Sequence, residues 1–435
     1  MTEAEIGSAA IVLSGLLLLV HCLGHVFERL RQPRLIGEIL AGVLLGPQVL
    51  GGITAPTTRT ILEFLAWIGV LSLMFLSGTA ARTLVTRDTW RTTAWLLVVG
   101  TTLPFLAVIA LVAAAPWMLD AILADAGDRT AGMLVLATAV SVTSIPVLSR
   151  IFADLRILHT RFASLILGTA VLEDILLWGV LAVATALAGS AVTGDAVVAA
   201  SVAGHSLLTL GYMLVGLFFA PALLRRLHTA KWNVLMGVSP AGYVFVILFG
   251  YVATASLGGI NLVFAAFLAG YGLVGSEATD RQQFAGPLEA IGVVARSLFI
   301  PLYFAMVGYR LLLGGDLSLT MIVVFLLASS ALAIAGNALA AWLAGFRRLD
   351  VVNIAVTTNA RGGPGIVLAS VAYGAGIINA PFYTTLVLTS ILTSQAAGVW
   401  LRYVLDSGRS LLSADAAGGW TPAPALPGAT AKEEI

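Results

Sequence analysis

The chain has 435 residues, 59% of them hydrophobic and only 10% charged, with a mean hydropathy of +1.00 and a formal net charge of +1. A soluble protein carries about 25% charged residues, so a water-exposed globule is excluded and an all-α polytopic membrane protein is indicated. The net charge says little about partners, and no nucleic-acid partner is expected.

Apolar windows of about 20 residues give thirteen predicted spans, at about 8–27, 34–51, 61–81, 92–118, 130–149, 162–188, 196–224, 234–256, 260–276, 287–309, 317–345, 350–374 and 382–404. The first follows Glu3 and Glu5, without the basic region of a cleavable signal. It carries the single cysteine, Cys22, so no disulfide within the chain is expected. His21 and His25 in this span and His205 in the seventh read as hydrogen-bonded interior imidazoles. The second span, "IGEILAGVLLGP" (36–47), is short. Its Glu38 either faces a cavity or serves the helix dipole, and Glu63 reads as a cap on the third span. The fifth span contains "SVTSIPVLSR" (141–150), an apolar helix interrupted by proline and hydroxyl residues. The sixth contains "TAVLEDILLW" (169–178), with Glu173 and Asp174 side by side. The ninth, "INLVFAAFLAGY" (260–271), is again short. The "GYGLVG" at 270–275 follows no strand, so its glycines read as close helix packing instead of a nucleotide loop. The twelfth contains "TTNARGGPGIV" (357–367), a second interruption. Residues 406–435 are expected to form a disordered cytoplasmic tail.

Basic residues test this count. Fifteen fall on odd-numbered loops, and only Arg59, Arg129 and Arg310 on even-numbered ones. The positive-inside rule then places the N-terminus outside and the C-terminus in the cytoplasm.

The two short spans and the two interrupted spans pair up across the chain. Gly42 and Gly46 correspond to Ala266 and Gly270, and the break at Pro146 corresponds to the one at Gly362, Gly363 and Pro364. Seven spans separate the members of each pair. The two copies therefore run in opposite directions, as in an inverted repeat. Each proline withdraws an amide donor from its helix. Backbone groups freed inside a membrane are tolerated where they line a cavity.

Asp174 lies thirteen residues beyond Arg161, about 20 Å along a helix and so near the bilayer midplane. An ionised Asp there costs roughly 2.5–3.5 kcal/mol. A carboxylate that carries a proton when shielded and is ionised when hydrated is a proton carrier. The same oxygens ligate hard monovalent cations, with help from carbonyls freed at the breaks. One site that holds either species but not both gives obligatory exchange.

"QPRLIGEILAGVLLGPQVLG" (32–51) and "ATAVSVTSIPVLSRIFADLRILHTRFASLILGTAVLEDILLW" (137–178) resemble the monovalent cation:proton antiporter family, in its Kef- and Nap-type branch. The resemblance implies a sodium/proton antiporter fold with two crossing discontinuous helices. It implies a homodimer, with a core bundle at about 88–190 and 317–404 moving against a dimerisation scaffold at about 8–81 and 196–309. Asp174 matches the family's ion-binding aspartate, and Glu173 takes the variable place beside it. Thr143 and Asn359 fall at the helix crossover. Asn337 stands where the family commonly has Lys or Arg. Arg361, or less favourably Arg296, is then the expected counter-charge. The alternatives are that Arg361 caps freed carbonyls and that Arg296 pairs with Glu289.

The expected function is antiport of cytoplasmic Na⁺ or K⁺ against external protons by alternating access in the cell (inner) membrane. Asp174 would be the shared ligand, no cofactor is needed, and the chain is not an enzyme. The alternatives are a sodium-coupled organic-solute symporter and a repurposed membrane enzyme or sensor.

Overall fold

The computed structural model describes residues 2–30, 32–46, 55–84, 90–125, 127–158, 160–191, 197–230, 233–274, 278–311, 317–346 and 348–413. Nearly all of them are helical. We label the helices in chain order: α1 Glu3–Arg29, α2 Arg34–Leu45, α3 Pro56–Leu84, and α4, which runs from Trp90–Trp95 through a π turn at Leu96–Thr101 into Thr102–Ala114. Then come α5 Arg129–Ser141, α6 Ile145–Asp154 and α7 Arg161–Ala191. The next, α8, is Val197–Leu214 continued through a π turn at Val215–Phe219 into Ala220–His228. It is followed by α9 Pro240–Leu257 and α10 Leu262–Leu273. α11 is Ala278–Val294, a π turn at Ala295–Phe299 and Ile300–Tyr309. The last are α12 Leu319–Leu343, α13 Leu349–Thr358, α14 Gly362–Gly374 and α15 Ala380–Asp406.

Taking α5 with α6 and α13 with α14 as two broken helices, these elements correspond to the thirteen predicted spans in order. Among the described residues nine helices are long and apolar enough to cross a membrane, and two more, Arg129–Ser141 and Leu262–Leu273, are shorter and apolar. The chain is a multi-pass membrane protein.

Local chemistry sets the helix starts. Thr2 and Glu5 form a capping box on α1, with Thr2 N donating to Glu5 Oε2 at 2.8 Å. Asp128 caps α5 through Ala131 N at 2.7 Å, and Asn379 caps α15 through Phe382 N at 2.9 Å. Each π turn precedes a proline by a few residues: Pro104, Pro221 and Pro301. A proline cannot donate to the carbonyl four residues back, and the helix widens where that bond is lost. The carbonyl of Ser297, four before Pro301, is taken instead by His21 Nε2 at 2.9 Å. Arg34 donates to the other ring nitrogen. An arginine only donates, so the imidazole hydrogen sits on Nε2.

Glycines let the short helices approach their neighbours. A methyl added at Gly42 would collide with the Ala305 carbonyl, and one at Gly308 with that of Ile39, so α2 and α11 cross backbone to backbone. Gly270 on α10 and Gly78 on α3 make the same reciprocal contact through the carbonyls of Phe75 and Phe267. This is small-residue packing as expected in a membrane. Gly270 of the "GYGLVG" stretch takes part in it, while Gly275 lies outside the described residues.

Several sequence expectations change. Residues 407–413 stay folded against α13: Ser413 N and Oγ bond Asp350 at 3.1 and 3.0 Å, Asn353 Nδ2 bonds Leu411 O at 3.0 Å, and Leu412 is buried. The expected tail of 406–435 is therefore folded over 406–413, and 414–435 lie outside the described residues. Glu63 is the eighth residue of α3, well past its first turn, so it caps nothing. It pairs with Arg59 at 3.1 Å and Arg310 at 3.5 Å. Cys22 is exposed on α1. The His205 side chain lies outside the described residues.

Candidate functional site

The two interruptions meet. α5 ends at Ser141, Val142 is extended, and α6 starts at Ile145. α13 ends at Thr358 and α14 starts at Gly362. Thr143 Oγ1 donates to Thr358 O at 2.7 Å, and Ser144 N donates to Ala360 O at 2.7 Å. Each bond satisfies a carbonyl freed by the opposite break. Gly362 has φ +39°, and a Cβ there would lie 2.5 Å from Val147 Cγ2 and 2.6 Å from Ser144 Oγ. Only glycine fits both that backbone conformation and that approach. The longer halves, α5 and α14, have 13 residues each and lie on the same side. Both breaks therefore sit at one depth, which lets them cross. Pro146 and Pro364 stand in the first turns of α6 and α14, where the missing donor costs nothing. Gly363 and Gly365 follow in the first turn of α14, the latter against Ser390.

Glu173 and Asp174 sit in the middle of α7, each 1% exposed. They differ in surroundings. Glu173 Oε1 accepts from Thr101 Oγ1 at 2.8 Å, and Thr143 lies beside the same carboxyl. Among the described residues neither oxygen of Asp174 has a partner in hydrogen-bond geometry. Its polar neighbour is Trp178, one turn on, whose indole N–H is likewise unpartnered. Among the described residues Glu173 Oε2 and, on α13, Thr357 Oγ1 are also buried without a partner. The acidic pair thus offers spare oxygen acceptors, the ligand type hard cations take. Among the described residues there is no cluster of three His, Cys, Asp or Glu side chains able to hold a metal ion.

The basic residues stand apart from the pair. Arg361 is 2% exposed, and its guanidinium bonds Ser329 Oγ at 2.7 Å and Asn359 Oδ1 at 3.3 Å, 5.8 Å from the Phe325 ring centroid. It makes no ion pair with Glu173 or Asp174, so the expected counter-charge is not found there, nor does it cap a carbonyl. The reason is directional: at the N-cap of α14 its side chain runs toward α12 instead of α7. Arg296 is exposed on α11, remote from the carboxylates and without the expected pairing to Glu289. Asn337 packs on Gly100 of α4, next to Thr101. Its Nδ2 donates to Ala333 O at 3.0 Å, and its Oδ1 is unpartnered. It bonds neither acid.

Thr101, Trp178 and Ser329 are site residues that the sequence reading passed over. Thr101 had a signal: "GTTLP" (100–104) is another polar cluster ahead of a proline inside an apolar span. Trp178 and Ser329 had none, since each is an ordinary residue of an apolar helix.

Two cavities flank the site, and neither is lined by Glu173 or Asp174. One, of about 460 Å³, opens toward the arginine-rich loops between α2, α3 and α11 on one wall and α6, α14 and α15 on the other. The second, of about 290 Å³, lies at the opposite end between α3, α10 and α11 and the α7, α14 and α15 wall.

Comparison with known proteins agrees with this geometry. The family model described as "Sodium/hydrogen exchanger, transmembrane" matches residues 15–406. Cation/H(+) antiporter 18 of Arabidopsis thaliana is 30% identical over 306 residues, covering 68% of this chain and 36% of the plant protein. The chain thus spans between a third and a half of the plant relatives it matches. The Na(+)/H(+)-K(+) antiporter GerN of Bacillus cereus is 25% identical, covering 88% of this chain and 93% of its own. The solved sodium proton antiporter MjNhaP1 of Methanocaldococcus jannaschii shares the fold, with a TM-score of 0.62 at 15% identity, over 92% of this chain and 98% of its own. With its crossed broken helices and the family match across nearly the whole membrane region, the chain belongs to the sodium/hydrogen exchanger family.

Proposed function

We propose that the protein exchanges a monovalent cation, Na⁺ or K⁺, for protons by alternating access, with Asp174 as the shared ligand. The observation that supports this most is the buried Asp174 carboxyl, whose two oxygens make no hydrogen bond among the described residues, with the Trp178 indole the one donor beside it. An inert buried acid would be hydrogen-bonded. A carboxyl that must accept a proton in one state and a cation in another keeps its oxygens unengaged. Glu173, held by Thr101, is its partner and not its duplicate. The unengaged Glu173 Oε2 oxygen and the Thr357 hydroxyl are candidates to complete an ion shell, with Thr143 and Asn359 at the crossover.

The two cavities support a rocking cycle. α4 to α7 and α12 to α15 form the moving core, and α1 to α3 with α8 to α11 form the scaffold, through which a second copy docks. Rocking connects Asp174 to one cavity and then the other. The C-terminus and the arginine-rich loops face the cytoplasm of the cell membrane in this reading. Transport relies on this chain's own oxygens and no cofactor.

The test is reconstitution in liposomes with an imposed pH gradient. Na⁺, K⁺ or Li⁺ added on the side opposite the protons dissipates the gradient, and Asp174→Asn abolishes this. Absence of a response to all three ions overturns the reading.

A further inference from the structure

The larger cavity has a lining that cation transport does not call for. Four arginines face it: Arg34 and Arg296 from one wall, Arg150 and Arg402 from the other. The one carboxylate in the lining, Glu38, is 5% exposed and engages Arg34 at 3.0 Å. Glu28, from α1, engages Arg150 at 2.6 Å. Arg296 and Arg402 make no ion pair among the described residues. The first turn of α14, with Gly363, also borders the cavity, and Arg361 at its N-cap makes no capping bond. In that turn Pro364 has no amide donor and Gly365 N bonds Arg361 O, so the turn offers the Gly362 and Gly363 amides and the positive end of a helix dipole.

A mouth lined this way lowers the local concentration of cations and raises that of anions. Guanidinium forks match phosphate oxygens in pairs, and a helix N-terminus adds to the same preference. The remaining lining is apolar, including Leu73, Ile151, Ile300 and Phe304. We propose that this cavity binds a phosphomonoester with a small apolar body, and that the bound anion bridges Arg34 and Arg296 to Arg150 and Arg402. Because the four residues stand on opposite walls, the bridge holds those walls at their present separation. In consequence the anion slows exchange; this regulatory half rests on the proposed function, whereas the binding half does not.

The phosphate arises either from a soluble metabolite or from a lipid headgroup, and the arms of the test separate them. The full chain in detergent micelles is titrated with inorganic phosphate and with phenyl phosphate, read by calorimetry and by melting temperature. In parallel, the chain in nanodiscs with and without phosphatidic acid is melted. Saturable binding of phenyl phosphate, weakening steeply with salt, assigns a soluble ligand. A melting shift with phosphatidic acid alone assigns a lipid. In either case Arg402→Gln and Arg296→Gln each weaken the effect at least tenfold, and Arg402→Gln leaves the melting temperature without ligand unchanged. No binding in any arm, or binding indifferent to both substitutions, overturns the proposal and leaves the arginines a role in membrane orientation only. Binding without any cation-driven proton movement keeps the site and discards the transport reading. Exchange without binding does the reverse.

Discussion

Adjacent residues on a helix point about 100° apart, and the structure shows what that does to Glu173 and Asp174. The glutamate turns to Thr101 and Thr143, while the aspartate has only the Trp178 indole beside it and makes no hydrogen bond among the described residues. Thr101→Val strips Glu173 of its hydrogen bond and leaves a buried acceptor unpaired. That loss costs about 1–3 kcal/mol, seen as a lower melting temperature in detergent and a weaker apparent cation affinity, with coupled exchange retained. Competition at one carboxyl also fixes a sign. Lowering the pH adds protons that occupy the site, so the apparent KM for the cation rises as pH falls, while saturating cation restores the rate. A pH-independent KM in liposome assays argues against a shared ligand. The acidic pair was legible in the sequence because a charge in an apolar run has few inert explanations. Its charge balance was not. Arg361 lies in the right segment, but which way an N-cap side chain turns depends on packing against α12 that no local pattern encodes.

At the scale of elements, the fold depends on close backbone approach. Gly362→Ala places a methyl against Val147 and Ser144 at a positive φ, and the break has no room to relax. Thr143→Val removes the bond to Thr358 O. The first is expected to abolish a stable fold and the second to cost about 1–3 kcal/mol, both read from melting curves. Gly42→Ala and Gly308→Ala, which collide with carbonyls, should destabilise strongly. Gly211→Ala, which meets nothing within 4 Å, should be neutral or better. Equal effects at all three positions contradict the packing account. The two breaks and the short helices were legible from proline, glycine and hydroxyl clusters at matched positions. The π turns were not read, although Pro104, Pro221 and Pro301 mark them. A proline says that a donor is lost, and only the fold says whether the helix kinks, breaks or widens. For α11 the answer lies in His21, which reaches across from α1 to the Ser297 carbonyl.

For the whole molecule, the buried carboxylates lie between two cavities whose walls belong to different sets of helices. Polar ties between those sets include Arg150–Glu28 at one end and Tyr383 Oη–Val307 O, at 3.0 Å, at the other. With Cys22 replaced by Ser, Gln395→Cys in the larger cavity should react with a membrane-impermeant thiol reagent from the arginine-rich side only. Ser370→Cys in the smaller cavity should react from the opposite side only. Labelling of both from one side contradicts the two-cavity arrangement. Span number and order were legible from hydropathy and loop charge, because the bilayer imposes both. The ordered stretch at 407–413 was not, since its anchors, Asp350 and Asn353, lie about 60 residues earlier and pair only after folding.

The central claim is that one carboxyl holds either a proton or a cation. The most direct measurement is proton release from the purified protein in weakly buffered detergent solution as Na⁺ or K⁺ is added. The account predicts saturable acidification that matches cation binding in stoichiometry and vanishes in Asp174→Asn. Cation binding without proton release, or release that persists in Asp174→Asn, would contradict it.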